Sequence, residues 1–71
     1  MDLIDSEQAA KDQAAYVGAT KHGNLAACIS IEKKYGLYGY TPELVSIGLA
    51  AAVKGEDPSA AVENYISKQS C

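Results

Sequence analysis

The chain carries a single imidazole, His22, and two thiols, Cys28 and Cys71. A nucleophile–base pair draws on those residue types and needs a third group to orient the base. His22 and Cys28 stand on opposite sides of Gly23-Asn24, a pair that reads as a turn, and no third group accompanies them. His22 has a plainer role near a helix C-terminus, where positive charge complements the dipole. Paired carboxylates occur at Asp2/Asp5 and at Glu56/Asp57. Both pairs stand at expected helix starts, where acids cap the backbone; general acid–base work would require an apolar pocket around one of them. One His and two Cys fall short of the common four-ligand zinc sets. Gly36-Leu37-Tyr38-Gly39 lacks the Lys-Ser/Thr ending of a phosphate loop and has no preceding strand. The expectation is a protein that is not an enzyme and holds no metal or cofactor.

Charge weighs against nucleic acid as a partner. All six basic residues are lysine, and the formal net charge is −3. Arginine is the main reader of guanine, and phosphate binding draws on clustered positive charge. A helix-turn-helix pattern can be drawn through Ala19, Gly23 and Ile29. His22 and Glu32 then occupy places that favour apolar side chains. The second helix of that pattern would present Leu25, Ala26, Ala27, Ser30 and Lys33, which offer few base-reading groups. A DNA-binding regulator of this kind is the alternative function.

The remaining constellation is a tyrosine cluster. Tyr35, Tyr38 and Tyr40 fall within six residues, interleaved with Leu37 and two glycines and preceded by Lys33-Lys34. Tyrosine offers a large contact area with a polar tip and is enriched at binding hot spots. The same rings could equally roof the core of a chain that has no Phe and no Trp. Tyr35, Leu37, Tyr38, Tyr40, Lys33 and Lys34 are the candidate partner-binding residues.

The elements that must position them are helices. Asp5 or Ser6 can cap a first helix over about 5–22, with Glu7 in its first turn and Gly23 as its stop. Its apolar stripe reads as Leu3, Ala10, Ala14 and Val17. Asn24 caps a second helix over about 25–35, whose broad apolar face is Leu25, Cys28, Ile29, Ile31 and Tyr35. Thr41-Pro42-Glu43 combines a hydroxyl N-cap, a proline at the first helical position and an acid. It opens a third helix over 42–54, apolar nearly all round and therefore expected at the centre. Gly48 within it marks a close crossing. Asp57-Pro58 repeats the opening logic for a fourth helix over 58–69, with Ala61, Val62, Tyr65 and Ile66 inward. No segment alternates as a strand does.

The fold class is therefore all-α: one domain over 1–71, made of four short helices in two antiparallel hairpins, with consecutive helices as neighbours. A shift of 34 residues lays Ala26-Ala27 on Ala60-Ala61 and Cys28 on Val62, the period of tetratricopeptide repeats. The large residues of that repeat's first helix are missing, and the correspondence reads as shared helix-hairpin chemistry. Alanine is abundant while larger aliphatics are few, so the core is small for a chain of 71 residues. No apolar run is long enough to cross a membrane, and the acidic start Met1-Asp2-Leu3-Ile4-Asp5 lacks the pattern of a secretory signal. Reduced thiols and a cytoplasmic setting follow as expectations. The leading function is a small protein-interaction module of bacterial or phage type, a regulator or inhibitor that docks on a larger protein. A homodimer through the Ala10/Ala14 face fits the same residues.

Overall fold

The computed structural model describes residues 5–69. Leu3, Asp2 and Cys71, which figured among the expectations, lie outside the described residues. The helices are α1 (Ser6–His22), α2 (Leu25–Lys34), α3 (Pro42–Val53) and α4 (Pro58–Gln69). Every start is capped by a side chain that accepts an otherwise orphaned N–H. Asp5 accepts from Glu7 and Gln8, Asn24 from Ala27, Thr41 from Leu44 and Asp57 from Ser59. Three helices stop on one device. Gly23, Gly36 and Gly55 take left-handed φ values of 71°, 69° and 81°. In each case the glycine N–H and the next N–H turn back to carbonyls of the last turn, as from Gly36 to Lys33 (3.2 Å) and from Leu37 to Glu32 (2.8 Å).

Helix α3 is the central element, packed against α1 on one side and α4 on the other. α1 also packs against α2. The two hairpins are thus joined through α1 and α3. α2 and α3, although consecutive, share little contact, contrary to the expectation from loop length. The loop between them reaches the core instead. Leu37 is fully buried, and a Cβ built on Gly48 would stand 2.7 Å from its Cδ1 and 3.2 Å from Cγ2 of Val62 on α4. The close crossing expected at Gly48 is therefore made by a loop leucine together with α4.

The core gathers Tyr16, Ala19, Cys28, Leu37, Val45, Leu49 and Val62. Two apolar faces differ from the reading of the sequence. α1 buries Ala9, Tyr16 and Ala19, while Ala10, Ala14 and Val17 face outward. The physical reason is size: a buried tyrosine removes far more surface from water than an alanine stripe, so Tyr16 sets the rotation of the helix. α2 buries Cys28 and half-buries Ala27, Ile31 and Tyr35, but Leu25 and Ile29 are exposed. A helix with α1 as its one substantial neighbour can cover only one narrow stripe. On α4, Val62 is buried, Ala61 and Tyr65 are half-buried and Ile66 is exposed. The molecule measures 34 × 27 × 16 Å. Sixteen ångströms is about two helix layers at the usual spacing of roughly 8–10 Å, so every helix keeps one face to solvent.

Candidate functional site

Among the described residues, His22 and Cys28 stand in different surroundings. His22 is exposed at the end of α1, and Cys28 is buried on the inner side of α2 with its Sγ 3.9 Å from the Thr20 hydroxyl. Among the described residues, no three His, Cys, Asp or Glu side chains come together as a metal site would require.

The lysines and tyrosines flagged for partner contact divide into three groups. The first is turned inward to hold α2 on α1. The Tyr35 hydroxyl donates to Asp12 Oδ2 at 2.5 Å, and Lys34 Nζ meets the same oxygen at 2.8 Å. Gln8 donates to the other Asp12 oxygen at 3.2 Å. A second bond runs the opposite way: the Tyr16 hydroxyl on α1 donates to Glu32 Oε2 on α2 at 3.0 Å. The hairpin is thus clamped by two tyrosine–carboxylate pairs with donor and acceptor exchanged between helices. Burial alone would raise the Asp12 carboxyl. Hydrogen bonds from Lys34, Tyr35 and Gln8, with the charge of Lys34, outweigh it and hold the group below its ordinary value. Burial, then the bond to Glu32, pushes the Tyr16 hydroxyl up to about 12. Tyr35 is raised by burial and by Asp12 in the same manner. Asp12 attracted no attention in the sequence. The signal that could have found it is long-range, since it pairs with residues 22 and 23 positions away.

The second group is core. Leu37 is 0% exposed, so it cannot offer its side chain to a partner. Tyr40 is half-buried and packs on the core cluster. The burial of Leu37 follows from its place after Gly36, because a helix stop of this type turns the next apolar residue back against the last turn. That pattern was legible in Gly36-Leu37.

The third group remains outside. Tyr38 is 61% exposed, and Lys33 Nζ lies 5.3 Å from its ring centroid. Lys33 is one turn beyond Ile29 and two beyond Leu25 on the same helix face. Leu25 is 72% exposed and Ile29 40%. The four side chains form one stripe along the outer surface of α2 and onto the loop, about 12 Å from Leu25 to Lys33 at 1.5 Å per residue. In the sequence Leu25 and Ile29 belong to the broad apolar face of the second helix, and the structure leaves both exposed.

A second apolar feature lies between α1 and α3. It is an open groove of about 370 Å³ lined by residues of α1, among them Ala10, Ala14, Tyr16 and Val17, and by Ser46 and Leu49 of α3. The outward alanine face of α1 is one wall of it.

Comparison of the chain with protein-family models, with curated proteins and with solved structures finds no match. None of the described helices is long and apolar enough to cross a membrane.

Proposed function

We propose that this chain is a non-enzymatic protein-interaction module whose contact surface is the outer face of α2 with Tyr38. One observation carries the reading. Leu25 and Ile29 on α2 and Tyr38 on the loop that follows, three of the five large apolar side chains exposed among the described residues, fall in one stripe, and α2 has α1 as its one substantial helix neighbour. Scattered exposed aliphatics are ordinary; a contiguous set with an aromatic at its end is the composition of a contact surface. The clamp through Asp12 and Glu32 supports the same reading, because it holds α2 rigid from behind. A rigid helix loses little entropy on binding. A regulator or inhibitor that docks on a larger protein is the class of function this surface serves.

The test is site-specific photo-crosslinking in the cells that make the protein. A photoreactive residue replaces Leu25 or Tyr38 on the proposed face, or Asn64 on the exposed side of α4. Adducts to one protein from positions 25 and 38, absent from position 64 and unaffected by nuclease, are the expected result. Adducts of equal yield from position 64, or adducts to nucleic acid, would overturn the reading; the second would promote the DNA-binding alternative.

A further inference from the structure

The stripe on α2 has a polarity that narrows what covers it. Its N-terminal part is apolar, with Leu25, Ala26 and Ile29, and its C-terminal end is cationic, with Lys33 beside the Tyr38 ring. Lys34 is turned inward with its charge met by Asp12, so Lys33 is the cation that this end of the stripe presents. The single carboxylate on α2 is Glu32, and it accepts the Tyr16 hydroxyl. A chain of net charge −3 therefore presents a face with no exposed carboxylate of its own helix.

We propose that the occupant is an acidic amphipathic helix of a partner protein, laid antiparallel to α2. This rests on the reading of α2 as the interaction face. Apolar side chains one turn apart on that helix cover Leu25 and Ile29. Its N-terminal turn lies over Lys33 and Tyr38. Acids are favoured in the first turn of any helix, so an antiparallel partner brings carboxylates to the lysine with no special design. The Tyr38 ring holds the ammonium by its face and leaves N–H groups for those carboxylates. Charge complementarity of this kind acts mainly on approach rate and orientation. An anionic membrane offers carboxylates and phosphates too, but the net negative charge of the whole chain opposes that surface, and one short helix with a single apolar stripe inserts weakly.

The test uses three synthetic helical peptides with one shared apolar pattern of leucines at i, i+3, i+4 and i+7. Their first turn and flanks are Glu, Gln or Lys. Each is titrated into the full chain while backbone amide shifts are followed. The expected result is binding order Glu, Gln, Lys, with roughly tenfold between the extremes at low salt. Shifts should centre on Leu25, Ile29, Lys33 and Tyr38. Lys33→Glu should reverse the order, and Lys33→Gln should flatten it. Equal affinity for all three, or a preference for the basic peptide, with shifts still on α2, would overturn the acidic partner and leave the interaction face standing. Shifts elsewhere, or none, would overturn both. Two parallel measurements complete the set: phosphatidylglycerol vesicles, and dilution of the chain alone. Shifts of the α2 residues with vesicles would assign the face to a membrane, and concentration-dependent shifts without peptide would assign it to a second copy; either overturns the proposal.

Discussion

Asp12 is the residue on which the α1–α2 hairpin turns. Its side chain is 13% exposed and receives three donors. Removing the acceptor leaves the Tyr35 hydroxyl and Lys34 without their shared partner. Asp12→Ala should cost about 1–3 kcal/mol in urea unfolding, and Asp12→Asn less, because an amide oxygen still accepts. The clamp also fixes how stability depends on pH. The Asp12 carboxyl sits below its ordinary value of 3.8 in the folded chain. Its contribution is complete above that value and is lost as pH falls through the lower folded value. The tyrosines act in the opposite direction. Tyr16 is raised from 10 to about 12, so the folded chain holds a proton the unfolded chain has released. That contribution is complete below pH 10 and is lost as pH rises from 10 toward 12. Thermal midpoints measured from pH 8 to 12 should fall more steeply for the native chain than for Tyr16→Phe/Tyr35→Phe. Parallel curves would show that neither hydroxyl is held by its carboxylate.

At the scale of elements, the sequence announced every helix and its limits to within one residue, because capping is local chemistry. Asp5, Asn24, Thr41-Pro42 and Asp57-Pro58 open the helices, and Gly23, Gly36 and Gly55 close three of them. Rotation of the helices was less legible. On α1 the periodicity picks the stripe Leu3, Ala10, Ala14 and Val17, whereas the face in the core is that of Tyr16, a ring that the lack of Phe and Trp already assigns to the core. Rotation depends on what the neighbour offers, and an alanine-rich helix has no strong preference of its own. At the junction of loop, α3 and α4 the packing leaves no room for a side chain at Gly48. Gly48→Ala gains about 1 kcal/mol of helix propensity but drives a methyl to within 2.7 Å of the buried Leu37 side chain. Overpacking at about 1–3 kcal/mol should win, so the variant is less stable. Leu37→Val in the same chain should relieve the clash, and a double-mutant cycle should give a coupling of at least ~0.5 kcal/mol. Additive effects would mean that Leu37 does not stand over Gly48. Gly36→Ala should cost about 1–2 kcal/mol, because φ of 69° is unfavourable for any residue with a Cβ.

At the scale of the whole molecule, four helices two layers thick cannot enclose all their apolar faces, and the outer face of α2 is one left open, as is the groove between α1 and α3. From the sequence the tyrosine loop reads as core lid or partner contact alike, with Tyr38 the most exposed of its rings. The structure divides the candidate residues: Tyr35 and Lys34 to the clamp, Leu37 and Tyr40 to the core, Tyr38 and Lys33 to the outside. Leu25 and Ile29 were invisible as surface residues because apolar periodicity says that a helix has an apolar face, not that a neighbour exists to cover it. A two-layer domain with few large aliphatics has little stability to spare, and an apolar face that contributes nothing to folding is a cost unless it is used. That contrast gives the most direct test. The central claim is that the α2 stripe serves contact and not the stability of this chain. The measurement is urea unfolding of Leu25→Ser/Ile29→Ser/Tyr38→Ser beside the native chain. The account predicts unfolding free energies within about 1 kcal/mol of each other, as for surface substitutions. A loss of more than about 3 kcal/mol, the size of a core truncation, would contradict it and return these side chains to the interior.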